Sequence, residues 1–129
     1  MTTTAAAVRS AITWFEIPTA DFDRARRFYE SILEAPLRTE RFENARIAIF
    51  PHEGAGIGGC LDEGSHSSPS MGGTVVYLDV DGRLDATLAR VESAGGRILK
   101  PKTALPPGMG SVAHIVDSEG NLIGLHALS

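Results

Sequence analysis

The chain has 129 residues, 43% hydrophobic and 22% charged, which suits one compact domain with a sizeable core and leaves little room for a second. A formal net charge of -4, with no basic stripe and no interleaving of aromatic and basic residues, argues against a nucleic-acid partner. No apolar run is long enough to span a bilayer, and Cys60 is the only cysteine, so no intramolecular disulfide can form and a cytoplasmic protein is expected.

Residues 1–10 lack a basic start and an apolar core of signal-peptide length and read as a loose tail. From Ile12 to Ile17 the side chains alternate as in a strand, with Phe15 and Ile17 on one face and Trp14 and Glu16 on the other. Pro18 ends that strand, and Asp21 is placed to cap a helix over Phe22 to Leu33. The helix's apolar positions Phe22, Ala25, Phe28, Ile32 and Leu33 share one face. Pro36 stops the helix, and strands follow over Leu37 to Phe42, Arg46 to Pro51 and Ile57 to Asp62.

Glu63 to Gly73 is the polar, Gly/Ser/Pro-rich stretch of the interior and reads as a linker. Beyond it the plan repeats. A strand over Thr74 to Val80 sends Val75, Tyr77 and Asp79 one way and Val76, Leu78 and Val80 the other. A helix over Arg83 to Ala94 carries Leu84, Leu88 and Val91 as its stripe and ends at Gly95-Gly96. Three strands follow, Arg97 to Lys100, Ser111 to Val116 and Leu122 to Leu128. Asp117 to Asn121 forms a hairpin turn between the last two. The loop from Leu105 to Gly110 is long enough to fold over a pocket mouth. The expectation is an α+β fold of two βαβββ modules, 11–62 and 74–128, in a single domain spanning 11–128, with function lying between them.

At this point the chain resembles the vicinal oxygen chelate superfamily of glyoxalases, bleomycin-resistance proteins and extradiol dioxygenases. The resemblance rests on Phe15-Glu16-Ile17-Pro18, Asp21, Arg24-Ala25 and Phe28-Tyr29-Glu30 in the first half. In the second half it rests on Tyr77 to Asp81, Ala94-Gly95-Gly96 and Asp117 to Leu125. It implies sheets curled into an open cup, usually in a homodimer, with a divalent metal held by His, Glu or Gln on the first and last strand of each module. The corresponding positions here are Trp14, Val75, Gly59 or Cys60, and Gly124. Trp14, Val75 and Gly124 carry no ligand atom, so the chain is expected to lack the usual metal site and to need no cofactor.

Glu16 and His126 each stand two residues beyond such a position and so face the same side. They are the candidate acid/base pair, with His114 as a possible third member, and the alternative makes them relocated ligands of a divalent metal in a lyase, isomerase or dioxygenase. The plainer reading makes them polar groups of the pocket wall. Trp14, Phe50 and Tyr77 are expected to line the pocket with Glu16, His114 and His126, although Trp14 also suits ordinary core packing. Gly54-Ala55-Gly56-Ile57-Gly58-Gly59 has the spacing of a dinucleotide fingerprint but no helical pattern after it, so a hairpin loop is expected. Cys60 has no neighbouring cation in sequence and reads as a small buried hydrophobe, and Ser65-His66-Ser67, in the linker, has no rigid scaffold for catalysis. The combined expectation is a small-molecule-binding protein that either sequesters its ligand or works on it without metal.

Overall fold

The structure, a computed structural model, describes residues 10–64 and 68–129. Most of the expected tail and all of Ser65-His66-Ser67 lie outside the described residues. The first sheet begins with β1 (Trp14–Pro18), whose alternation buries Ile17, packs Phe15 against the core and leaves Trp14 and Glu16 on the opposite face. Asp21 caps α1 (Phe22–Leu33) by accepting the Arg24 N–H at 3.1 Å, and the helix buries Phe22, Ala25, Phe28, Tyr29, Ile32 and Leu33. It ends at Glu34 in the left-handed region, φ 51°, two residues before Pro36. Three strands follow: β2 (Arg38–Phe42), β3 (Ala45–Ile49) and β4 (Gly58–Asp62). β4 returns to lie parallel to β1, giving the order β1-β4-β3-β2.

The second half repeats this with β5 (Val76–Asp79), α2 (Leu84–Val91), β6 (Arg97–Ala104), β7 (Ser111–Val116) and β8 (Leu122–Ala127), in the order β5-β8-β7-β6. The class is α+β, two βαβββ units each built on a mixed four-stranded sheet. The largest boundary differences from the sequence reading are in β6 and α2. β6 continues past Lys100 to Ala104, because it is an edge strand whose register shifts between Ile98 and Thr103 accommodate Pro101, which has no N–H to give to a ladder. α2 is shorter than expected, because Arg83 gives its N-terminus no side-chain cap and Gly95, at φ +110°, turns the chain away.

One continuous core joins the halves, with Phe28, Tyr29 and Ile32 of α1 in the same cluster as Val80, Leu84, Val91 and Ile115 of the second unit. A polar clasp sets their relation. The Tyr29 hydroxyl donates to Asp117 Oδ2 at 2.5 Å, and Asn121 Nδ2 donates to that same oxygen and to the Pro18 carbonyl, each at 3.0 Å. Asp117 Oδ1 accepts the backbone N–H groups of Glu119 and Asn121, both at 2.9 Å. Glu119 reaches across to accept the N–H groups of Ala20 and Asp21 and the Arg24 guanidinium. Ser70, in the stretch expected to be a linker, donates its N–H to Asn121 Oδ1 at 3.1 Å, so the connection is docked onto the clasp.

Burial, followed by the Asp117 charge and its hydrogen bond, pushes the Tyr29 hydroxyl well above its usual value of 10.0, so it remains a donor. Tyr29→Phe removes that donor from a buried carboxylate, and chemical denaturation should show a loss of about 1 to 3 kcal/mol. Burial pushes the Glu119 carboxyl up, but hydrogen bonds from Arg24, Asp21, Ser118 and Ala20 outweigh it and hold the group below its ordinary 4.5. Its contribution to stability is therefore fully present above that value and lost as pH falls through the depressed folded value. The denaturation midpoint should drop with acidification below pH 4.5, and Glu119→Gln should flatten that part of the profile.

Candidate functional site

Each sheet packs one face on its helix and leaves the other open. On the first open face the parallel register sets Trp14 opposite Gly58, Glu16 opposite Cys60 and Pro18 opposite Asp62. The Trp14 ring lies across β4, because Gly58 has no side chain to stop it: a Cβ there would fall 2.9 Å from indole Cζ3 and 2.7 Å from the His52 ring. His52 stands edge-on to the indole, with centroids 6.4 Å apart and planes at 83°. The indole stays 42% exposed.

The second open face repeats the device with different chemistry. β5 and β8 set Tyr77 opposite Gly124, where a Cβ would collide with the phenol ring, and His114 lies beyond Gly124 on β7. The Tyr77 hydroxyl is 2.7 Å from His114 Nε2, so this ring is tied to its histidine by a hydrogen bond. His126 is engaged too: with a carbonyl as partner, its Nε2 must donate, and it does so to Met109 at 2.8 Å. That bond anchors the Leu105–Gly110 loop to β8.

A cavity of about 530 Å³ opens on the first face, lined by Trp14, Glu16, Phe42, Ile47, Cys60 and Asp62 with the β2–β3 turn. A second, of about 500 Å³, lies at the junction of the units between β1, the Ser68–Thr74 stretch and the start of β8, and Glu16 borders both. Burial pushes the Cys60 thiol up to about 12, the charges of Glu16 and Asp62 add to this, and the hydrogen bond from Trp14 opposes it. The thiol therefore keeps its proton at neutral pH and is no nucleophile.

Of the expected site residues, Trp14 and Glu16 share the first open face, whereas Tyr77, His114 and His126 share the second. Neither cavity that Glu16 borders is lined by His126, His114 or Tyr77. Phe50 lines neither of these cavities. It is 5% exposed and packs on Phe15 and on Tyr29 of α1, because it follows Ala48 on the helix-facing side of β3. Gly54 to Ile57 belongs to the β3–β4 hairpin loop, with Gly54 at φ +49°, Gly58 and Gly59 open β4, and no helix begins there. Sequence reasoning missed Phe42, Ile47 and Asp62 in the lining and His52 beside the indole. Asp62 was within reach, being two residues beyond Cys60 and hence on the Glu16 side. His52 follows the end of β3, where alternation gives no signal.

The residues at the expected metal positions do not fit an ion within one chain. Trp14 offers an N–H donor, Val75, Gly59 and Gly124 offer no ligand atom, and the Cys60 thiol is protonated. Among the described residues no group of three His, Cys, Asp or Glu side chains is arranged to hold one.

Residues 11–125 match the Glyoxalase/Bleomycin resistance protein/Dioxygenase superfamily. Among solved structures, a glyoxalase/bleomycin resistance protein from Albidiferax ferrireducens T118 aligns with a TM-score of 0.71 at 15% identity, over 92% of this chain and 98% of that one. Another from Streptomyces sp. CB03234 aligns at 0.67 with 24% identity, over 88% and 97%. The genomically encoded fosfomycin resistance protein FosX of Listeria monocytogenes, as a mutant complexed with Mn(II) and 1S,2S-dihydroxypropylphosphonic acid, aligns at 0.65 with 19% identity, over 93% of each chain. No curated protein matches in sequence. At these identities the structural likeness establishes the fold.

The donor set carries an expected outcome. Protein purified without chelators should hold well under one equivalent of zinc, nickel, iron or manganese by elemental analysis. Added metal should leave its melting temperature unchanged, whereas specific binding at a hundredfold excess over Kd would stabilise by about 2.7 kcal/mol.

Proposed function

The chain belongs to the glyoxalase/bleomycin resistance protein/dioxygenase superfamily, and on that footing we propose that it binds a small organic molecule on the open face of its first sheet, without a metal. The observation that carries this is the Trp14 indole, set over Gly58 and left 42% exposed at the wall of a cavity of about 530 Å³. Aromatic surface with a few polar groups, in a space of that size, is how small-molecule sites are usually made. Sequestration is the leading form of the proposal. A metal-independent enzyme is the second reading, favoured by Glu16, which borders both cavities and can serve as general base there. A divalent metal held by Glu16 and His126 is the weakest form, since neither cavity that Glu16 borders is lined by His126.

Assembly as a homodimer is part of this reading. Tyr77, Met109 and Leu128 of the second unit leave large side chains exposed, surface of the kind that a second copy covers. No helix among the described residues is long and apolar enough to cross a membrane. The buried, protonated Cys60 suits a reducing cytoplasm.

Two outcomes test the reading. Light scattering at micromolar concentration should give twice the 13.7 kDa chain mass, and a stable monomer would contradict the dimer. Trp14 is the only tryptophan, so its emission reports the cavity. An aromatic ligand found by screening should quench it saturably, and Trp14→Ala should weaken binding by about 1 to 3 kcal/mol with the fold intact. Emission indifferent to every ligand, with Trp14→Ala destabilised by about 3 to 5 kcal/mol, would make the residue part of the core instead.

A further inference from the structure

We infer that the ligand taken by the Trp14 cavity is an organic cation, an amine or quaternary ammonium carrying apolar or aromatic substituents. This rests on the reading that the cavity is a binding site and adds the chemical class of what it holds. The first support is aromatic. Trp14, 42% exposed, and Phe42, 65% exposed at the end of β2, both bring aromatic surface to that space. An aromatic face attracts a cation through its quadrupole, and indole does so most strongly.

The second support is charge. The lining carries the carboxyl groups of Glu16, Glu43 and Asp62 and has no Lys, Arg or His. The cations of this sheet are paired or on its other side: Arg46 pairs with Glu63 at 2.7 Å and with Asp23 at 3.2 Å, Arg41 stands opposite Arg46 in the register, and Arg38 pairs with Glu40 at 3.2 Å. The field of two of the carboxylates reaches the cavity floor, where Glu16 and Asp62 both add to the upward shift of the Cys60 thiol, after burial. A concave wall of one sign concentrates ligands of the other.

The second open face has none of this combination. Its aromatic ring is tied by the Tyr77 hydroxyl to His114, and His126 is bonded to the Met109 carbonyl. An anionic phosphonate is excluded from the first face by the same argument, since it would meet three carboxylates and no donor cation.

The test uses the full chain and three probes of matched shape: benzyltrimethylammonium, its neutral isostere neopentylbenzene, and benzylphosphonate, each titrated against Trp14 fluorescence. The cation should bind at least about tenfold more tightly than either of the others, and its affinity should fall as sodium chloride is raised. Glu16→Gln with Asp62→Asn should weaken the cation about tenfold and leave the neutral probe nearly unchanged. Should that pair fail to fold, Glu43→Gln, on the exposed β2–β3 turn, should weaken the cation in the same sense.

Equal quenching by all three probes, or preference for the phosphonate, would overturn the cation assignment while leaving a binding site at Trp14. No response of Trp14 to any probe would overturn both the assignment and the reading beneath it.

Discussion

The arrangement of the two halves depends on one buried carboxylate, Asp117, whose oxygens accept from the Tyr29 hydroxyl, the Asn121 side chain and two backbone N–H groups. A carboxylate in the interior is costly unless its acceptor sites are filled, and here the filling groups come from both units. Asn121 extends the network to the end of β1 through the Pro18 carbonyl and to the inter-unit connection through Ser70. Glu119 extends it to the start of α1. The consequence is that β1, which carries Trp14 and Glu16, is fixed relative to β8 by hydrogen bonds at its far end. The open faces are therefore positioned by a turn that takes no part in either.

On that frame the chain uses one local device twice. An aromatic ring on the opening strand of each unit lies over a glycine on the closing strand and meets a histidine beyond it. The pairs are Trp14 with His52 and Tyr77 with His114. The difference between them is chemical: the phenol hydrogen-bonds its histidine, whereas the indole lies perpendicular to its histidine and hydrogen-bonds Cys60 instead. Two copies of one module thus set one ring against a histidine nitrogen and the other at the wall of a cavity with carboxyl groups in its lining. Of the positions where the superfamily resemblance implies metal ligands, one holds the Trp14 ring and another Gly124, and neither offers a ligand atom.

Much of the fold was legible in the sequence because its signals are local. Asp21 at the cap, five apolar residues on one helical face and Pro36 beyond define α1, and the Asp117–Asn121 turn with alternating flanks defines β7 and β8. The second α-helix and β6 were less legible, since α2 lacks a capping side chain and β6 continues through a proline that only an edge strand tolerates. The site was harder. Alternation placed Trp14 and Glu16 on the open side, but their neighbours depend on the parallel register of β1 with β4, which joins residues more than forty positions apart. Phe50 is placed by a related constraint: its position on the Ala48 side was legible, yet only the packing of α1 shows that this side is buried.

The central claim is that ligand meets the protein on the Trp14 face, and the most direct measurement of it is a two-dimensional proton–nitrogen NMR titration of the labelled protein with benzyltrimethylammonium. With one tryptophan in the chain, the indole N–H gives a single resolved peak. The account predicts that this peak shifts saturably together with the amides of Glu16, Cys60 and Asp62, while those of Tyr77, His114 and His126 stay in place. Shifts confined to the second sheet, with the indole peak unmoved at saturation, would contradict it.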